Sequence, residues 1–313
     1  MIAVVPADGA VTVLDVPEPE PGFGQVLVRV RAAGLNGADL LQARGLYPPP
    51  PGEPAHCGLE LAGEVVGLGP GTTRFAEGDR VMAVVGGGAQ AELAVVHERL
   101  LLPVPDGLGW AEAGGFPEAF TTAHDALATQ CGLAVGERLL VHGAAGGVGT
   151  AGVQVGVATG ATVTATVRNR DLREAVTALG ATAIDPAEFE EHGPFDVILE
   201  LVGGGNLAGN VRSLATGGRI AIIGVGGSGG RAELDLLGLM QRRGRIHGST
   251  LRARPLEAKA DAARRIEAHI LPLLADGRVR VPVEATFPLG EAARAYDRFA
   301  AGAKLGKVVL TAG

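Results

Sequence analysis

The chain has 313 residues, 50 of them glycine, with a formal net charge of −7 and a hydrophobic content of 47%. The apolar content excludes a disordered chain, and the acidic total makes a nucleic-acid-binding surface a poor candidate. Two cysteines exclude a disulfide framework and a four-thiolate zinc site. Pro6 and Asp8 interrupt the apolar start of the chain too soon for a signal peptide, so a cytoplasmic protein is expected.

The N-terminal third of the chain is predicted to form short strands separated by glycine-rich turns. Gln25–Ala32 alternates apolar and polar side chains, as a half-buried strand does. Leu61–Gly67 and Asp79–Val85 are predicted as further strands, and Pro48–Pro51 indicates a stiff, extended loop between them. This pattern is typical of an all-β barrel.

Strands and helices alternate from Glu118 onward. The predicted strands are Arg138–His142, Thr162–Val167, Ala181–Ile184, Phe195–Leu201 and Arg219–Gly224. The predicted helices are Glu118–Leu127, Val148–Ala158, Asp171–Leu179 and Leu207–Leu214. This alternation predicts a doubly wound parallel sheet. The stretch Leu139–Val167 carries no charge but is too interrupted by glycine to be a membrane span.

The last part of the chain is predicted to be mainly helical. A long helix is expected over Glu257–Leu274, and a helical stretch at Ala300–Lys304 is expected before a final strand, Lys307–Leu310. The short connection through Gly306 indicates that this strand returns to the first domain.

A glycine-rich turn lies between a buried strand and a helix, at Gly143–Gly149. Glycines at this place permit a tight turn, let a pyrophosphate approach the backbone, and let the helix pack closely on the sheet. The free N–H groups at the helix N-terminus attract phosphate. The Lys-Ser/Thr ending of a P-loop is missing, so the turn predicts a dinucleotide site.

The end of the second strand of this domain decides between NAD and NADP. An acidic residue there binds the ribose 2′-hydroxyl, whereas arginine receives a 2′-phosphate. The chain has Arg168, Asn169 and Arg170 at this point, and no acidic residue at the strand end itself. This favours NADPH. The alternative is a solvated basic turn beside Asp171.

Six motifs spread over the whole chain resemble one known family. They are Ala33–Gln42, Gly45–Gly52, Gly58–Val65, Gly143–Gly149, Ser249–Arg254 and Gly306–Leu310. Together they are similar to medium-chain dehydrogenase/reductases, and more narrowly to zeta-crystallin-like NADPH:quinone oxidoreductases. The resemblance implies an α/β protein with a GroES-like, partly open β-barrel catalytic domain (1–120) and a doubly wound Rossmann NADP(H)-binding domain (121–250). It also implies a C-terminal segment (251–313) returning to the catalytic domain, and a homodimer.

One departure separates this chain from the zinc-dependent branch of the family. Zinc alcohol dehydrogenases have Gly-His-Glu where this chain has Gly58, Leu59 and Glu60, and leucine cannot bind a metal. His56 and Cys57 are adjacent, but two neighbouring side chains rarely form a zinc site without further ligands. The sequence therefore predicts no metal site, and an alcohol dehydrogenase becomes less plausible.

The resemblance implies that Asn36 and Tyr47 line the substrate site and that Asp39 orients them, which makes these three the candidate catalytic residues. Tyr47 is the candidate proton donor, with water as the alternative. The candidate cofactor-binding residues are Thr122, Gly146, Gly147, Val148, Gly149, Arg168, Asn169, Arg170, Val202, Gly224, Val225, Gly226, Gly227, Leu251, Arg254 and Lys307. Structural roles are open alternatives: a helix cap for Asn36 and Asp39, a core ring for Tyr47, and a solvated strand start for Lys307.

The expected function is zinc-independent transfer of reducing equivalents from NADPH to a quinone. One alternative is an enone or acyl-thioester reductase, and another is an NADPH-regulated protein that binds single-stranded nucleic acid or has a structural role. Gly226–Gly230 also matches the Gly-x-Ser-x-Gly elbow of hydrolases. Asp235 with His247 or His269 would complete that triad.

Overall fold

The computed structural model describes all 313 residues, which divide into two compact units. The first unit comprises Met1–Thr121, Leu251–Gly302 and Lys307–Gly313. The second comprises Thr122–Thr250 and Ala303–Gly306. None of the helices has both the length and the apolar composition needed to cross a membrane.

Strands and helices follow one another along the whole chain. The strands are β1 (Ile2–Ala7), β2 (Ala10–Asp15), β3 (Gln25–Gly34), β4 (Glu60–Leu68), β5 (Arg80–Val84), β6 (Leu93–His97), β7 (Leu102–Pro103), β8 (Arg138–Val141), β9 (Thr162–Thr166), β10 (Thr182–Ile184), β11 (Phe195–Glu200), β12 (Leu214–Ile222), β13 (Arg245–Gly248), β14 (Val283–Pro288) and β15 (Lys307–Thr311). The α-helices are α1 (Gly37–Ala43), α2 (Trp110–Gly115), α3 (Pro117–His124), α4 (Gly147–Thr159), α5 (Arg173–Thr177), α6 (Leu207–Arg212), α7 (Leu236–Arg242), α8 (Leu256–His269), α9 (Leu271–Ala275) and α10 (Ala292–Ala300).

The first unit is built around a seven-stranded sheet with the order β14-β15-β3-β4-β5-β7, and β6 pairs with the N-terminal part of β3. Alternate residues of β3 point into the core: Val26, Val28 and Val30 are at most 2% exposed. They pack with Leu61 of β4 and Val81 of β5, which confirms the predicted barrel strands. The strand β15 runs antiparallel to β3, so the last strand of the chain lies between β14 and β3.

Two helix predictions in the C-terminal part are wrong. The helix predicted over Glu257–Leu274 is broken at Ile270 into α8 and α9, because Pro272 has no N–H and its ring obstructs a continuing helix. The stretch Ala300–Lys304 is not helical, since α10 ends at Ala300. Gly302 and Ala303 then adopt the left-handed conformation, with φ of 66° and 45°.

The second unit is a six-stranded parallel sheet with the order β10-β9-β8-β11-β12-β13. Numbered within the unit, this is the 3-2-1-4-5-6 order of a doubly wound dinucleotide-binding sheet. The sequence direction reverses between β8 and β11, where ligands bind in such folds. The prediction of a GroES-like barrel domain together with a doubly wound α/β domain is therefore confirmed.

Candidate functional site

The glycine-rich turn of the second unit brings the N-terminus of α4 to the carboxyl end of β8. Gly146 is the residue that caps α4, and Gly147, Val148 and Gly149 form its first turn, where helix N–H groups have no helical partner. A Cβ atom at Gly149 would lie 2.4 Å from the carbonyl oxygen of Gly143. Only glycine lets the helix start this close to the turn, which fits the cradle that a pyrophosphate requires.

The turns that follow β11 and β12 meet beside this helix start. The N–H of Gly227 donates to the carbonyl of Val202 at 2.9 Å. A Cβ at Gly224 would lie 2.5 Å from the carbonyl oxygen of Leu201, and one at Gly143 would lie 3.4 Å from Val202 Cγ2. The structure thus brings Val202, Gly224 and Gly227 together with the glycine-rich turn, while Val225 and Gly226 are exposed on the same loop.

The arginines proposed to select the cofactor follow β9. Arg168 and Arg170 are exposed, and neither guanidinium group forms an ion pair or hydrogen bond within the chain. Asn169 Oδ1 accepts the N–H of Asp171 at 3.1 Å, so this residue caps a short 3₁₀ turn and fixes the loop. Thr122 is buried on α3. Two guanidinium groups are therefore available to an anion at the end of β9.

A buried hydrogen-bond chain below these turns was not predicted from the sequence. These hydrogen bonds connect Thr166, His142, Asn210 and Glu200 in that order. His142 Nδ1 lies 3.1 Å from Thr166 Oγ1, and its Nε2 lies 2.8 Å from Asn210 Oδ1. Asn210 Nδ2 then donates to Glu200 at 2.8 Å. Burial lowers the pKa of His142, which keeps its ring neutral.

Glu200, the last residue of this hydrogen-bonded series, holds the turn that carries Val202. Glu200 is 2% exposed, and its Oε1 accepts the N–H groups of Val202 at 2.7 Å and Gly203 at 2.9 Å. An acidic residue directly after three consecutive apolar residues of β11 was the available signal for this role, because a buried carboxylate requires several donors.

In the first unit, the side chain of Asn36 contacts both members of a buried ion pair. Lys307 Nζ donates to Asn36 Oδ1 at 2.7 Å, to Glu60 Oε1 at 2.6 Å and to the carbonyl of Leu35 at 2.8 Å. Asn36 Nδ2 donates to Glu60 Oε1 at 2.9 Å, which fixes the orientation of the amide. Glu60 was missed by the sequence analysis.

The burial of Lys307 overturns one alternative and limits one role. Its side chain is 3% exposed, so a solvated strand start is wrong. The three acceptors use all three N–H bonds of the ammonium group, so its assignment as a cofactor contact remains a prediction.

Asp39 lies in the first turn of α1, where its Oδ2 accepts the N–H of Asn36 at 2.8 Å. The capping role considered for this pair is therefore present. The carboxyl group is fully buried and its Oδ1 has no hydrogen-bond partner. Burial raises the pKa of Asp39 to about 7, although the N–H of Asn36 and the charge of Lys307 act in the opposite direction.

Tyr47 lies in the loop after α1, half-buried, with the guanidinium of Arg252 5.0 Å from its ring centroid. Leu251, next to Arg252 in the chain, is buried and lines an apolar pocket of the first unit with Leu102. Arg254 is half-buried in the turn before α8. These residues stay predictions as substrate and cofactor contacts.

The hydrolase alternative does not fit the structure. Ser228 Oγ accepts the N–H of Gly205 at 2.9 Å, and Asp235 accepts the N–H of Gly238 at 2.9 Å as the cap of α7. Ser228 thus joins two loops, and Asp235 stabilises the start of a helix. No group of three or more His, Cys, Asp or Glu side chains is placed to hold a metal ion.

Two family models match the chain: the alcohol dehydrogenase GroES-like domain over residues 22–106 and the zinc-binding dehydrogenase family over residues 176–310. Erythronolide synthase EryA2 of Saccharopolyspora erythraea is 37% identical to this chain in an alignment 330 residues long. The alignment covers 98% of this chain and 9% of the synthase. The chain thus spans a small part of the polyketide synthases that it matches.

Two quinone oxidoreductases match over nearly their whole length. The protein from Rattus norvegicus is 30% identical over 309 residues, covering 95% of this chain and 92% of the relative. The crystal structure from Thermus thermophilus, described together with its NADPH complex, has a TM-score of 0.86 and 34% identity over 99% of this chain and 100% of that one. The chain therefore belongs to the medium-chain dehydrogenase/reductase superfamily.

Proposed function

We propose that the protein reduces a quinone with NADPH and that it needs no zinc. Its similarity to two quinone oxidoreductases over more than 90% of each chain carries this proposal. Leu59 in place of a zinc ligand, and the lack of a metal-ligand cluster, support the zinc-free reaction. The bound nicotinamide would supply a hydride, and this chain's residues would orient the cofactor and acceptor and exclude water.

The cofactor preference is proposed to come from Arg168 and Arg170. Replacing both by alanine is expected to raise KM for NADPH by about tenfold or more, since each guanidinium can form charge-assisted hydrogen bonds to a 2′-phosphate. KM for NADH is expected to stay unchanged. Steady-state kinetics with both cofactors measure this. An Arg44→Ala variant, which changes an exposed arginine of the first unit, is the control. An equal effect on both cofactors would contradict the assignment.

A second candidate function is reduction of an enone or acyl thioester, which the similarity to segments of polyketide synthases favours. Initial rates with 1,4-benzoquinone, a naphthoquinone, an enone and an enoyl thioester separate the two candidates. Quinone turnover at a higher kcat/KM than that of the enone or thioester is the expected result. Reduction of the thioester alone would replace our proposal by the second candidate. NADPH-displaceable binding of single-stranded RNA without any turnover would favour the non-enzymatic alternative.

We also propose a homodimer formed through the edge of the second unit's sheet. β13 is an edge strand. The neighbouring α7 exposes Leu236, Leu237 and Met240 by 65%, 63% and 71%. An apolar cluster of this kind beside an unpaired strand edge is suited to a second copy.

The Leu237→Glu/Met240→Glu variant is expected to be a monomer, because two carboxylates would be buried in the contact. Light scattering after size exclusion measures the mass. The matched control is Phe23→Glu, which changes an 81% exposed side chain of the first unit and is expected to leave the dimer intact. A dimer that survives the double change would place the contact elsewhere.

A further inference from the structure

Arg252 is a buried cation to which the sequence motif assigned no role. It is 4% exposed, and it donates from Nε to the carbonyl of Gly86 at 2.7 Å and from Nη1 to the carbonyl of Tyr47 at 2.7 Å. Its Nη2 donates to Gln42 Oε1 at 2.5 Å. All three acceptors are neutral, so no carboxylate neutralises the guanidinium by direct contact.

These bonds join three separate segments of the first unit: the last turn of α1, the loop that carries Tyr47, and the loop after β5. A planar guanidinium holds its acceptors in fixed directions, which a flexible ammonium does not. The same group lies 5.0 Å from the centroid of the Tyr47 ring, within the range of a cation–π contact. One side chain therefore fixes both the backbone and the ring of Tyr47.

We propose that Arg252 is the positioning residue for Tyr47, the candidate proton donor that the resemblance implies. This proposal rests on the reductase function proposed above. With a bound nicotinamide as the source of hydride, the acceptor would take a proton from Tyr47 as the Oη–H bond breaks, which would complete a two-electron reduction. The phenolate that remains is stabilised by the nearby positive charge and takes a proton from water.

Other ionisable groups near Arg252 also affect the titration of Tyr47. Asp39, Cys57 and Glu53 all interact electrostatically with Arg252. Burial raises the pKa of the Cys57 thiol to about 12, so it is neutral at moderate pH. Glu53 is paired with Lys259 at 3.1 Å. Arg252 is thus the cation beside Tyr47 that no carboxylate contacts, and Asp39 is the negative charge that acts on Arg252 from a distance.

The absorbance of tyrosinate tests the pairing without an activity assay, because the chain has two tyrosines. Tyr296 is buried, which raises its pKa far above the usual range, so absorbance between about pH 8 and pH 11 reports Tyr47. In Arg252→Met the pKa of Tyr47 is expected to rise by about one pH unit. Arg252→Lys keeps a charge without the planar fork and is expected to lie between this variant and the wild type.

Three further variants control the titration. Tyr47→Phe is expected to abolish the signal, whereas Tyr296→Phe and Arg44→Met are expected to leave it unchanged. Arg44 is an exposed arginine at the end of α1, three positions from Tyr47. An unchanged titration in both Arg252 variants would overturn the pairing.

Turnover tests the catalytic part. Arg252→Met and Tyr47→Phe are each expected to lower kcat by about tenfold or more, as loss of a general acid does. The fall of kcat at alkaline pH is expected to shift upward in Arg252→Met and to disappear in Tyr47→Phe. An alkaline limb that persists in Tyr47→Phe would overturn Tyr47 as proton donor. A wild type without any turnover would overturn the proposed function, while the absorbance titration still decides the pairing.

Discussion

Replacing Lys307 by methionine is expected to lower the free energy of unfolding of the first unit by about 3–5 kcal/mol, the cost of leaving one partner of a buried ion pair alone. Glu60 is 0% exposed, and its carboxylate would keep only the N–H groups of Asn36 and Glu118 as donors. The chain's one tryptophan, Trp110, lies in this unit. Its fluorescence during urea unfolding measures the change.

The double variant Lys307→Met/Glu60→Gln is the informative comparison. It removes both charges, so it is expected to be less destabilised than Lys307→Met alone. A single variant that loses less than about 1 kcal/mol would show that the pair is not desolvated as the structure indicates. If the double variant loses as much free energy of unfolding as Lys307→Met and Glu60→Gln lose together when each is made alone, the two charges are not coupled.

Replacing Asp39 by asparagine is expected to change how stability depends on pH. The pKa of Asp39 is about 7 in the folded protein and 3.8 in its ordinary state. Between these values the folded protein retains a proton that the unfolded chain has released, so the free energy of unfolding falls as pH rises. The group's contribution is complete below about pH 4 and lost above about pH 7.

Asparagine cannot ionise and can still accept the N–H of Asn36. As the pH rises from about 4 to about 8, the free energy of unfolding of Asp39→Asn is therefore expected to increase by roughly 2–4 kcal/mol relative to that of the wild type. Urea unfolding at both pH values measures this. Asp79→Asn is the matched control, because Asp79 accepts the N–H of Ala76 with the same spacing but is exposed. If the free energy of unfolding depended on pH in the same way in Asp39→Asn and in the wild type, the raised pKa of Asp39 would be contradicted.

The features that could be predicted are those encoded by local pattern. The alternation in β3 and the glycine-rich turn before α4 each depend on neighbours in the chain, and the structure has both. The end of α10 was mispredicted although the sequence holds a signal for it, because Gly302 adopts the left-handed conformation directly after the C-cap residue Ala301.

The polar interior of the site could not be predicted, because it depends on contacts between distant parts of the chain. Lys307 and Asn36 are 271 positions apart, and Arg252 and Gln42 are 210 apart. A sequence shows that lysine, glutamate and asparagine are present, but it does not show that they are buried together. The glycine-rich turn predicts a cofactor site from sequence, whereas the roles of Glu60, Glu200 and Arg252 needed the fold.

The rate of NADPH oxidation by the purified protein with 1,4-benzoquinone, in the presence of a metal chelator, tests the central claim most directly. We expect turnover that the chelator does not reduce, with kcat/KM for NADPH at least about tenfold above that for NADH, the contribution of one charge-assisted contact to the 2′-phosphate. Absence of quinone-dependent oxidation, loss of activity on chelation, or equal use of NADH would contradict the account.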